Sequence, residues 1–164
     1  MSFDKILNKI NQSYVSLLIW VVALVSIGAF IGNMTRPGVD AWYTTLQRSP
    51  LTPANYVFGI VWTILYIMLA MSGWAIWSSQ HSKLGLIKIV YILQLMLNWT
   101  WAPLFFIYHQ PGLALLCIGL IIALTLVVIF KTYHTIPLAS YLLMPYFVWV
   151  SFASYLNFYI WLYN

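Results

Sequence analysis

Residues 89–130 read IVYILQLMLNWTWAPLFFIYHQPGLALLCIGLIIALTLVVIF, without a single Asp, Glu, Lys or Arg. A charge at the centre of a bilayer is expensive, so a run of this kind marks chain that lies in lipid. The run is about twice the roughly 20 residues that one helix needs to cross a hydrocarbon core. It therefore holds two spans. The punctuation between them is His109-Gln110-Pro111-Gly112, where Pro lacks a backbone donor and Gly accepts turn geometry.

The same rule applied outward divides the rest of the chain. Ile10–Thr35 and Ser49–Ser82 are also free of charge, and a second break falls at His134-Thr135-Ile136-Pro137. Helices are expected at about 13–33, 54–78, 85–108, 112–133 and 137–162. The chain of 164 residues is 63% hydrophobic and 5% charged, whereas a soluble domain carries about 25% charged residues. Almost nothing is left over for a soluble domain. The fold class is an all-α integral membrane protein, one domain over residues 1–164, with a bundle of five transmembrane helices. Lys5 and Lys9 ahead of an apolar run ending at Ser26-Ile27-Gly28 also fit a cleavable signal. The run continues through Ala29-Phe30-Ile31, which makes it a full span instead.

With five spans, Lys5, Lys9, Lys83, Lys88 and Lys131 fall on one side, and Arg36 and Arg48 on the other. The positive-inside rule then puts the N-terminus in the cytoplasm and the C-terminus and long first loop outside, if this is an inner membrane. No long targeting segment precedes the first helix, and a bacterial source is expected. The net charge of +5 is scattered along the chain, so no nucleic-acid partner is expected. Cys117 is the only cysteine and forms no intrachain disulfide. The only acids, Asp4 and Asp40, lie outside the expected spans and provide no paired-carboxylate site. His81, His109 and His134 share no motif, no phosphate-binding Gly loop appears, and neither a metal nor a cofactor is expected.

Aromatic residues make up 18% of the chain. Trp20, Trp74, Trp77, Trp161 and Tyr163 fall near helix ends and read as interface anchors. Trp62, Trp99, Trp101 and Trp149 lie deeper, where an indole N–H needs a partner or a polar ligand. Gln94, Asn98 and Trp101, spaced by four and three, share one face of the third helix. Such a stripe faces protein or a cavity, and it serves either as interhelical hydrogen-bond glue or as part of a ligand site. Trp62 and Tyr66 lie one turn apart on the second helix, and Tyr146, Trp149 and Ala153 lie on a comparable face of the fifth. The loop Ala41–Pro53 is too long for a hairpin and too apolar for a tether, and it either folds over the bundle mouth as a lid or lies flat at the interface. Gly28-x-x-x-Gly32 is a small-xxx-small pattern, read first as packing within the chain and second as a contact between chains.

One ordered set runs from the first loop to the last helix: Trp42-Tyr43, Leu46, Pro53, Val57, Val61-Trp62, Leu65-Tyr66, Gln94, Asn98-Trp99, Trp101, Pro103, Phe105-Phe106, Pro145-Tyr146, Trp149 and Leu156-Asn157. This set resembles the TspO/translocator protein family, also called peripheral benzodiazepine receptors. The resemblance implies a five-helix bundle around a pocket opening toward the first loop, binding of protoporphyrin IX or a related tetrapyrrole, and homodimers. It implies ligand contacts from Trp42, Leu46, Trp62, Tyr66, Asn98, Trp99, Trp149 and Ala153, whose flat rings suit a tetrapyrrole. It also implies a rival role, light- and oxygen-dependent porphyrin breakdown with Trp62 and Trp149 as the catalytic pair. A transporter, carrier or sensor is favoured over that enzyme, and a regulatory receptor for another apolar small molecule is a third reading. Two departures stand out. Arg48-Ser49-Pro50-Leu51-Thr52-Pro53-Ala54 lacks one lid tryptophan and one proline usual in the family, and the end of the fifth helix lacks the basic residue of the sterol motif, so sterol recognition is not expected.

Overall fold

The computed structural model describes residues 3–81 and 84–164, and in the first helix side chains from Ser13 onward. The elements are α1 (Phe3–Ala41), a 3-10 turn Tyr43–Thr45, α2 (Asn55–Ser78), α3 (Gly85–Phe106), α4 (Pro111–Thr132) and α5 (Pro137–Tyr163). From Ser13 onward, all five helices are long and apolar enough to cross a bilayer. Their outward faces carry Leu18, Val22, Phe30, Leu116, Leu120, Phe130 and Val148, all exposed. An apolar surface of that extent is a liability in water and the normal covering of a protein in lipid.

Proline and glycine close the hairpins as their chemistry requires. Pro111 and Pro137 each sit in the first turn of a helix, where the missing N–H would have had no partner. Between α3 and α4 the chain reverses through His109, the one non-glycine residue with a left-handed backbone among those described, at φ 52°. The Gln110 N–H reaches back to the Leu104 carbonyl at 3.0 Å, and the Ile107 and Tyr108 N–H groups share the Pro103 carbonyl.

The helices pack in the ring order α1, α2, α5, α4, α3, with α3 returning to α1. The sequential neighbours α2 and α3 touch far less. The tightest part of the core lies between α2, α3, α4 and α5, where Leu69, Ile76, Tyr91, Leu95, Ile121, Leu143, Tyr146 and Val150 are fully buried. Polar side chains tie these helices by bonding to backbone of the next one. Ser72 Oγ donates to the Ala139 carbonyl at 3.1 Å, Ser140 Oγ to Ile129 at 3.2 Å, and the Tyr91 hydroxyl to Leu69. In hydrocarbon such bonds contribute about 0.6 kcal/mol on average, so they fix register more than they supply stability.

α1 stands apart as the least buried helix. Gly28 lets it approach α2, because a Cβ there would fall on the Tyr66 ring, whereas the space around Gly32 is open. The small-xxx-small pattern thus serves packing within the chain at Gly28. α1 also differs from its expected extent of 13–33: it runs through Pro37 to Ala41. Pro37 removes only the N–H that would have met the Asn33 carbonyl, and packing holds the rest of the turn, as it does for prolines in many membrane helices. Gly38 sits against the Phe106 carbonyl at the end of α3, and Val39 joins the cluster of Tyr43, Phe105 and Ile160.

Candidate functional site

Four helices enclose a cavity of about 660 Å³ near the end of the bundle where α1 finishes and α2 begins. The spacing of the lining explains its shape. α2 presents Phe58, Trp62 and Tyr66 at every fourth position, α3 presents Asn98, Trp101 and Phe105, and α5 presents Ala153, Leu156 and Asn157. α1 contributes a wall of small residues, Gly28, Ala29 and Gly32. With aromatic rings of α2 and α3 on one side and the small residues of α1 on the other, the cavity is a slot.

The inner end of the slot is a hydrogen-bonded floor. The Tyr66 hydroxyl donates to Asn98 Oδ1 at 2.8 Å, and Asn98 Nδ2 donates to the Tyr146 hydroxyl at 3.0 Å. Gln94 Nε2 donates to that same hydroxyl at 2.6 Å. All four groups are buried, and Gln94 Oε1 has no partner among the described residues. Gln94 therefore acts as glue between α3 and α5, while Asn98 does that and also lines the cavity. A second link closes the side wall: Trp101 Nε1 donates to Asn157 Oδ1 at 3.1 Å, and Asn157 Nδ2 donates to the Pro111 carbonyl at 2.8 Å. One buried asparagine thereby joins α3, α4 and α5.

The first loop folds back over the bundle mouth. Trp42 stacks on His109 at 4.3 Å between centroids and meets Phe105 edge-on at 5.5 Å. Tyr43 is buried against Phe106, with the Arg48 guanidinium over its ring at 5.3 Å. Farther along, the Ser49 and Tyr155 hydroxyls lie 3.0 Å apart, and Gln47 and Asn164 exchange two hydrogen bonds of 2.9 and 3.2 Å. The loop is a lid held at both ends.

Of the residues expected at the site, Trp62, Tyr66, Asn98 and Ala153 line the cavity together. Trp42 and Leu46 do not; they pack in the lid cluster with Tyr43 and Phe105, two residues that do line it. Trp99 is also absent from the lining, because adjacent residues on a helix point about 100° apart, so Trp101 shares the side of Asn98 and Trp99 leaves it. Trp149 is absent from the lining as well; its ring meets edge-on, at 5.8 Å, that of Phe58, which does line the cavity. The indole N–H groups of Trp99 and Trp149 are buried without a partner among the described residues.

Sequence reasoning missed the outer part of the α1 wall, where Asn33, Arg36 and Asp40 line the mouth. Their spacing of three and four, continuing the face of Gly28 and Gly32, was a helical signal that ran past the expected end of the first helix at residue 33.

Comparison with known proteins agrees with this architecture over nearly the whole chain. The model of the TspO/MBR family matches residues 19–162. The chain is 34% identical over 145 residues to the tryptophan-rich protein TspO of Archaeoglobus fulgidus, covering 88% of this chain and 94% of that protein. It is 34% identical over 151 residues to the translocator protein of Bos taurus, covering 87% and 89%. It is 33% identical over 153 residues to the tryptophan-rich protein TspO of Chlorobaculum tepidum, covering 90% and 95%. A family match across this span, on a bundle of five membrane-crossing helices, means that the protein belongs to the TspO/MBR family.

Proposed function

We propose that this protein binds a tetrapyrrole such as protoporphyrin IX in its membrane and acts as a transporter, carrier or sensor. The observation that carries the proposal is the slot of about 660 Å³ with Trp62, Tyr66, Trp101 and Phe105 on its walls. That volume falls within the roughly 300–1,000 Å³ typical of small-molecule sites, and its lining is mostly apolar with a few convergent polar groups, as such sites usually are. A rigid macrocycle loses little conformational entropy in a slot of this kind, and aromatic contacts add about 0.5–1.5 kcal/mol each beyond the area they bury.

Catalytic breakdown of the ligand needs both Trp62 and Trp149 within reach of it. Trp62 lines the slot and Trp149 does not, packing instead on Phe58, which favours binding over chemistry. For orientation, Lys88 and Lys131 lie toward the end opposite the lid, on α3 and α4, while the side chains of Lys5, Lys9 and Lys83 fall outside the described residues. On the positive-inside rule we assign the lid to the outer face and the N-terminus to the cytoplasm of a bacterial inner membrane.

Titration of the purified protein in detergent with protoporphyrin IX tests the proposal. Tryptophan fluorescence is expected to quench saturably in the dark, with the porphyrin absorption bands unchanged under illumination. Trp62→Ala is expected to weaken binding by roughly tenfold. Bleaching that disappears in both Trp62→Phe and Trp149→Phe would move the assignment to the enzyme, and quenching that never saturates would remove the tetrapyrrole.

A further inference from the structure

The polar groups of the slot are unevenly placed. Tyr66 and Asn98 at its inner end already satisfy each other. At the outer end, Asn33, Arg36 and Asp40 from α1 face Asn55 from α2, and Arg36 and Asp40 are the charged residues of the lining. A ligand that fills the slot therefore has an apolar body inside and a polar edge at the mouth.

The sign of that edge follows from how Arg36 is held. Arg36 Nε and Asp40 Oδ2 lie 3.6 Å apart, longer than the 2.7–3.2 Å of a good hydrogen bond. Both side chains are mostly exposed, at 74% and 65%, so the pair contributes little by itself. No side-chain hydrogen bond holds Arg36 among the described residues, and its close charged neighbour there is Asp40. A guanidinium left open in this way at the mouth of an apolar slot is available for bidentate binding of a carboxylate.

We infer that Arg36 reads an acidic group on the ligand, so that the slot takes a flat aromatic acid with its carboxylate at the mouth, and the Asp40 charge beside it tempers its attraction for anions. This inference rests on the slot being the ligand site and extends the tetrapyrrole reading to one of its chemical features. It does not require the flat body to be a tetrapyrrole.

Two acid and ester pairs test it on the full chain in detergent by tryptophan quenching: protoporphyrin IX with its dimethyl ester, and 1-pyrenebutyric acid with its methyl ester. Arg36→Gln is expected to weaken both acids roughly tenfold while both esters stay within about twofold. Arg36→Lys is expected to restore only part of the loss, since an ammonium lacks the fork. Asp40→Asn is expected to tighten the acids and leave the esters unchanged. Equal losses for acid and ester, or no loss for either, overturn the inference, as does the absence of saturable binding by both acids. If the porphyrin pair alone fails on the unmodified protein, the tetrapyrrole assignment falls and the pyrene pair still decides the role of Arg36.

Discussion

Gly38→Val is expected to destabilise the protein by about 3 kcal/mol, near the upper end of overpacking effects. A Cβ at Gly38 would fall on the Phe106 carbonyl oxygen and lie 2.8 Å from its carbonyl carbon. Because the obstacle is main chain, no change of rotamer relieves it. Either α1 must retreat from the end of α3, or the turn through Ile107 and His109 must move. Both choices disturb the lid, since Val39 packs in the cluster of Tyr43 and Phe105, and Trp42 just beyond α1 meets Phe105 and stacks on His109. Gly32→Ala is the matched control: the space around Gly32 is open, and removing a helical glycine contributes roughly 0.5–1 kcal/mol of stability. Thermal unfolding in detergent, followed by tryptophan fluorescence, should move in opposite directions for the two variants. Equal melting temperatures for Gly38→Val and the unmodified protein would show that α1 does not depend on this contact.

The same turn shows where sequence reasoning reaches and where it stops. Charge placement located five apolar segments because the bilayer imposes that rule on every residue, whatever its neighbours are. Pro111 and Pro137 were legible as punctuation between helices, since a proline lacks a backbone donor and its place in an apolar stretch leaves few alternatives, and both prove to open the next helix. Pro37 carries the same local signal and is continued through, because Gly38, Val39 and the end of α3 hold the turn together. A contact between residues 68 positions apart outweighs a local preference, and nothing local announces it.

The site divides along similar lines. Trp62, Tyr66 and Asn98 were legible from depth and helical spacing. Trp99 and Trp149 share that depth, and what separates them from the lining is rotation: Trp99 turns away from the side that Asn98 and Trp101 share, and Trp149 packs on the Phe58 ring of α2 without lining the cavity itself. Helix rotation is fixed by neighbours, so one sequence gives the level of a side chain in the membrane more readily than its direction. The α1 wall was illegible for a different reason. Its use lies in what Gly32 leaves empty and in how closely Gly28 lets α1 approach, and neither is announced by a residue type alone.

The second large effect is expected at the floor of the slot. Tyr146 is fully buried, and its hydroxyl accepts from both Gln94 Nε2 and Asn98 Nδ2. Tyr146→Phe keeps the ring and its packing and leaves two buried amide donors without that acceptor. A donor orphaned in this way costs about 1–3 kcal/mol, and hydrogen bonds between membrane helices average about 0.6 kcal/mol with a maximum near 1.7, so a loss of about 2 kcal/mol is expected for the pair. Gln94→Leu should cost less, because it removes a donor together with a carbonyl oxygen that has no partner. The combined variant then leaves only Asn98 orphaned, and it should be more stable than Tyr146→Phe alone. Unfolding in mixed micelles of dodecyl maltoside and sodium dodecyl sulfate measures all three. If the two losses simply add, the hydroxyl is not the shared acceptor of both amides. Because Asn98 also receives the Tyr66 hydroxyl at the cavity wall, ligand affinity should fall with Tyr146→Phe although Tyr146 does not line the cavity.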